Sequence, residues 1–188
     1  MENVKKYIFT ALTLGLIAAG GALLIATTNM ITRGPIAENE KKAINKGIAS
    51  IFDDYEHIYY SSEEDVKKDN DNNPYVDHIY YVKDGLLEND ENNVVIGYAL
   101  RTTGSNQYGK LSLIVGFDTS YAYVGLSVVT NEQSFASTLN KNYIIPVQKG
   151  ERELDKVSCG ATYGATTIRD MVNNAKNMVK TIVGGNNG

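Results

Sequence analysis

The residues best suited to chemistry in this chain form one run: Asp155-Lys156-Val157-Ser158-Cys159-Gly160-Ala161-Thr162-Tyr163-Gly164-Ala165-Thr166-Thr167. Small residues and hydroxyls then give way to apolar residues at Ile168, Met171, Val172, Ala175, Val179 and Ile182. Spacings of three and four mark one face of a helix, so the run reads as a small-residue loop entering a helix near Thr167. Glycine and alanine let another molecule approach the backbone closely. The start of a helix exposes N–H groups without intrahelical partners at the positive end of its dipole, which suits a phosphate. It equally suits a plain Ser/Thr cap after a glycine turn, and the residue types alone leave both readings open.

The elements that must position this run can be read from the rest of the chain. With 188 residues there is room for one membrane anchor and one domain. A net charge of −4 with scattered Lys and Arg gives no footprint for nucleic acid. A single cysteine excludes an internal disulfide, and no Cys/His set has zinc spacing. His57 and His78 fall in strand-like segments without a ligand partner nearby, so no metal site is expected. Neither a Ser/His/Asp nor a Cys/His set for hydrolysis is present, and no dinucleotide glycine fingerprint follows a strand. No catalytic residue is assigned.

Residues 7–26 carry no charge and are mostly Leu, Ile, Ala and Gly, the length of a helix crossing a hydrocarbon core of about 30 Å. A signal peptide has a shorter apolar core and a small-residue cleavage site, so an uncleaved span over 7–28 is the reading, with residues 1–6 before it. Lys5 and Lys6 on one side and Arg33, Lys41 and Lys42 on the other leave the orientation undecided by charge. A second, amphipathic helix is expected over 29–56. Pro35 would sit in its first turn, and Ala43, Ile44, Gly47, Ile48, Ile51 and Phe52 would form an apolar stripe packed on the domain. Residues 65–74 read as an exposed, solvated loop without the glycine and closing Glu of a calcium loop. Strands are expected at 76–83, 94–102, 111–117 and 123–129. Leu111, Leu113, Val115 and Phe117 make one buried face, as do Val124, Leu126 and Val128. Antiparallel neighbours followed by helix give an α+β domain over 57–183, with a flexible tail at 184–188.

Gly160-Ala161-Thr162, preceded by Asp155 and Ser158, resembles the flavinylation motif of the FMN-binding domain family: Asp, two residues, Ser or Thr, then Gly-Ala-Thr. Members include the G subunit of the Rnf electron-transport complex and the C subunit of the sodium-pumping NADH:quinone oxidoreductase. In this chain four residues separate Asp155 from Gly160, and Cys159 stands directly before the glycine. The juxtamembrane residues Thr28-Asn29-Met30-Ile31-Thr32 and Ile36-Ala37-Glu38 are similar to the family's, as are Gly97-Tyr98-Ala99, Gly104, Tyr108-Gly109 and Val115-Gly116-Phe117-Asp118 of its core hairpin.

The resemblance implies an FMN cofactor held through a phosphoester at Thr162, attached from FAD by a separate flavin transferase. Ser158, Gly160, Ala161 and Tyr163 would surround it, and Thr166, in a second Gly-Ala-Thr, is the alternative acceptor. Thr162 is preferred because Tyr163 follows it, as an aromatic does in family members. Thr130-Asn131-Glu132-Gln133-Ser134-Phe135 takes the place of the family's loop against the flavin, giving Glu132 by match and Gln133 by adjacency. It further implies a domain outside the cytoplasm and other membrane subunits as redox partners; with no dinucleotide fingerprint and no hydrolytic set, no turnover is expected of the isolated chain. The alternative function is a membrane-anchored extracytoplasmic binding or assembly protein without covalent flavin.

Overall fold

The computed structural model describes residues 2–53, 58–68, 71–85 and 93–184. His57 and residues 185–188 of the tail expected at 184–188 lie outside the described residues, while Gly184 is the last residue of the final helix. The chain divides into two compact units, Met1–Lys42 and Ala43–Gly188.

Helix α1 (Glu2–Ile51) begins in the first unit. It contains the one helix among the described residues that is long and apolar enough to cross a membrane. Leu12, Ile17, Leu23 and Leu24 are exposed along it. Thr10, Thr13, Thr27 and Thr28 each donate a hydroxyl hydrogen bond to the carbonyl four residues back, which satisfies these polar groups inside the helix. The second helix expected at Pro35 is not separate: Pro35 lies inside α1.

The second unit is α+β. Strands β1 (Ile58–Asp65), β2 (Val76–Asp84), β3 (Val94–Asn106), β4 (Gly109–Asp118) and β5 (Tyr123–Asn131) form one antiparallel sheet in sequence order. After β5 come a short α2 (Ala136–Leu139), a π-helical turn (Asn140–Ile144), a short α3 (Ile145–Gln148) and α4 (Thr162–Gly184). None of the first three was anticipated from the sequence.

One face of the sheet packs on α4. Leu100, Leu111, Leu113, Val115 and Phe117 meet Ile168, Met171, Val172, Ala175 and Val179, all buried. Ile182, predicted for this face, is half-buried, and Val183 is buried instead. The other face takes the end of α1, where Ile44 and Ile48, with Phe52 just past the helix, cover Tyr80, Val82, Ala99 and Ile114. Strand β4 is therefore buried on both faces from Leu111 to Phe117, not on one as its alternation suggested. A Cβ at Gly116 would come within 2.4 Å of Ile51 Cγ2, and one at Gly97 within 2.6 Å of Phe52 Cε1, so these two glycines admit the end of α1. Val124 is exposed rather than buried: the β4–β5 register shifts between Gly116 and Phe117, leaving Val124 unpaired between Tyr123 and Gly125, while Leu126 on the same strand stays buried. In the 65–74 loop Asn73 is buried, donating to the carbonyls of Lys67 and Val76 and accepting from the Val76 N–H. It pins a segment that reads as wholly solvated.

Candidate functional site at the start of helix α4

Helix α4 begins at Thr162, five residues earlier than the apolar spacing indicated. The Ala165 N–H donates to the Ala161 carbonyl at 3.1 Å, the first bond of the helix. This leaves the N–H groups of Thr162, Tyr163 and Gly164 without partners inside it. No acidic side chain lies in that first turn to use them. The early start follows from packing. A Cβ at residue 164 would lie 2.7 Å from Leu139 Cδ2, so Gly164 seats the first turn of α4 against α2. Gly160, at φ +82°, makes the turn that delivers the chain into the helix.

A small, half-open pocket of about 80 Å³ lies here. One wall is Gly160, Ala161, Thr162, Tyr163 and Gly164; the others are Gln133, Phe135 and Leu139, and Tyr108 from the β3–β4 turn. The Tyr108 ring stands 5.6 Å from Phe135 edge-on and 5.5 Å from Tyr163 tilted. Phe135 and Tyr163 are more than half exposed, at 52% and 59%. Such a set of aromatic faces beside a helix start suits a flat ring joined to an anion.

The three segments are tied together. Asn106 Nδ2 donates to Thr167 Oγ1 at 2.9 Å, Thr167 donates to the Tyr163 carbonyl, and Asn106 Oδ1 accepts the Tyr108 N–H. The Ser134 N–H donates to the Tyr108 carbonyl at 2.8 Å. Gln133 is buried, its Nε2 donating to the Gly109 carbonyl. Its Oε1 lies 3.3 Å from where a Cβ on Gly164 would stand.

Of the residues singled out in the sequence, Thr162, Gly160, Ala161, Tyr163 and Gln133 come together around this pocket. Thr162 is exposed. Thr166 is half-buried and not among the lining residues. Glu132 is also outside; it is exposed, and its N–H donates to the Lys110 carbonyl. Ser158 and Asp155 are exposed on the approach loop, and the Ser158 carbonyl accepts from Arg152. Cys159 is buried and its carbonyl accepts from Asn142 Nδ2. Tyr108, Phe135 and Leu139 were not found from the sequence as pocket residues. The aromatic at 135 beside the Glu132-Gln133 loop was the one signal available for them.

Among the described residues no group of three or more His, Cys, Asp or Glu is placed to hold a metal. His78 is half-buried, with Nδ1 2.8 Å from Asp65 Oδ1.

This is an α+β domain with an apolar N-terminal helix and a small aromatic-rimmed pocket at the start of its last helix. Residues 1–51 match the family model of the RnfG N-terminal region, so the chain resembles the RnfG subunit over 51 of its 188 residues. That match coincides with α1 and supports an Rnf-type membrane subunit; the pocket lies outside it. No curated protein matches the chain.

Proposed function

We propose that the chain is a membrane-anchored flavoprotein subunit of an Rnf-type redox complex, with its α+β domain on the extracytoplasmic side and FMN joined covalently to Thr162. The observation that carries this reading is the position of Thr162. It is an exposed hydroxyl on the first residue of α4, in the wall of an aromatic pocket, and the third residue of a Gly-Ala-Thr.

The donor set fits FMN. A phosphate on the Thr162 oxygen would lie at the helix start, where the unpartnered N–H groups and the dipole favour negative charge. Tyr108, Phe135 and Tyr163 offer faces to a flat ring, and Gln133 Oε1 offers an acceptor to its polar edge. At about 80 Å³ the pocket is too small to enclose the ring system, which would lie against its aromatic rim with most of the group outside. Bound there, FMN supplies electron transfer, and the protein positions it. Attachment would be a phosphoryl transfer from FAD: the Thr162 Oγ–P bond would form as the pyrophosphate P–O bond breaks, AMP would leave, and the hydroxyl proton would pass to solvent through the transferase. Other membrane subunits of the complex would be the redox partners.

The test is intact mass after co-expression with a flavin transferase. The wild-type chain should gain the mass of FMN less one water and keep its flavin through denaturation. Thr162→Val should lose that adduct and Thr166→Val should keep it. An adduct lost only with Thr166→Val would move the acceptor, and a wild-type chain without an adduct would end the reading. The position of Ser158 and Glu132 outside the pocket favours the second reading, an anchored assembly protein without covalent flavin; colourless protein in the same experiment would select it.

A further inference from the structure

Residues 149–161 form no regular secondary structure between α3 and α4, yet they deliver Thr162 to the pocket. One side chain organises them. The Arg152 guanidinium donates from Nε to the Lys156 carbonyl at 2.7 Å, from Nη1 to the Asn142 carbonyl at 3.0 Å and from Nη2 to the Ser158 carbonyl at 2.6 Å. It also lies 5.6 Å over the Tyr143 ring. Asn142 and Tyr143 belong to the π-helical turn that continues directly from α2. Asn142 Nδ2 adds a bond to the Cys159 carbonyl at 3.0 Å, and the Tyr143 hydroxyl donates to the Leu154 carbonyl. Residues 158 and 159 are thus tied to the π turn from two directions. This matters for the pocket because Gly160 and Thr162 form one wall, while Phe135 and Leu139, at the head of the same helical segment, form the facing wall.

We propose that Arg152 is a positioning residue, which fixes the spacing of these two walls and so the pose of a flavin tethered at Thr162. The proposal rests on the flavin reading above. A rigid planar fork bonded to three carbonyls is a geometry that lysine cannot reproduce. Charge-assisted bonds of this kind are also the stronger ones. Nothing else in 149–161 spans from the loop to both residue 142 and residue 158.

The experiment compares the full-length chain in detergent with Arg152→Ala, Arg152→Lys and Asn142→Ala, with and without flavin loading. In unloaded protein, tryptic cleavage after Lys156 should rise about tenfold or more in Arg152→Ala, the scale expected for losing hydrogen bonds from a charged donor. At equal adduct mass, flavin fluorescence should rise and its anisotropy fall in Arg152→Ala, as the ring leaves the aromatic wall. Asn142→Ala should show a smaller change in the same direction, and Arg152→Lys should not restore the wild-type signature. If Arg152→Ala unfolds, Arg152→Lys and Asn142→Ala carry the same comparison. Wild-type cleavage and anisotropy in the folded Arg152 variants would overturn the proposal. A wild-type chain that takes no flavin would instead overturn the functional reading, and the cleavage rates would still report on whether Arg152 sets the loop.

Discussion

Gly109 shows how little freedom single positions have around the pocket. Its φ is +136°, and a Cβ there would stand 2.2 Å from the Glu132 carbonyl oxygen, a backbone atom that cannot swing aside. Its own carbonyl accepts from Gln133, and its neighbour Tyr108 supplies a ring to the wall. Gly109→Ala should therefore lower stability by about 3 kcal/mol, from backbone strain and overpacking together. The midpoint of a urea melt would show it, and an unchanged midpoint would mean that the β3–β4 turn is looser than its contacts imply. Residue types signalled parts of this site and missed others. Thr162 and its small neighbours stand out in sequence because hydroxyls and glycines before an apolar period are a local pattern. The choice between Glu132 and Gln133 was not legible. Which of two adjacent polar residues turns inward depends on the Gly109 carbonyl, more than twenty residues earlier in the chain.

Among the elements, the end of α1 has the clearest division of labour. Its last turns and the residue after them belong with the sheet: Ile44, Ile48 and Phe52 are 6%, 1% and 5% exposed. A chain starting at Ala43 is expected to keep its fold, since the compact second unit begins there. One starting at Asp53 should lose roughly 5 kcal/mol or more, because burying an Ile or Phe contributes about 1.5–3 kcal/mol each. That is comparable to the whole stability of an ordinary domain. Circular dichroism melts of the two chains make the comparison; equal melting temperatures would show that the α1 end is dispensable. The apolar stripe behind this prediction was visible in the sequence, together with its docking on the domain. Whether Pro35 opens a new helix or sits inside a long one was not visible, because proline is compatible with a first turn and is tolerated, at a cost, within a helix. The three short helical pieces after β5 were also invisible, being too brief to show a period of their own.

For the molecule as a whole, the tyrosines set the response to alkali. Burial pushes the Tyr123 hydroxyl up to about 12 and that of Tyr143 well above the ordinary range. Tyr98 is raised by burial first and then by Tyr121 and Tyr81. In each case the folded state holds the proton more tightly than the unfolded chain. The stabilising contribution is therefore complete below about pH 10 and is lost as the pH climbs through the folded-state values. Tyr123 alone accounts for something on the order of 2 kcal/mol across that window. Urea midpoints should fall steeply between pH 9 and pH 12 (about where model tyrosines begin to ionise) and less steeply in Tyr123→Phe. A parallel decline in both proteins would rule out Tyr123 as a source.

Local periodicity determined much of the architecture: the apolar N-terminal helix, the strands from residue 76 to 129, the apolar face of the last helix, and the α+β class. Those features depend on residues within a few positions of one another, so the hydrophobic effect acting on neighbours is enough to write them into the chain. Tertiary structure decided the rest. It buried β4 on both faces, because α1 and α4 close on the sheet from opposite sides. It drew the start of α4 back from Thr167 to Thr162, because Gly164 finds Leu139 to pack against. It brought Tyr108, Gln133 and Phe135 to the Gly-Ala-Thr turn across separations that no window of sequence spans. Contacts between distant segments have no period to betray them; they form only when the sheet and the helices have already fixed where each segment can lie.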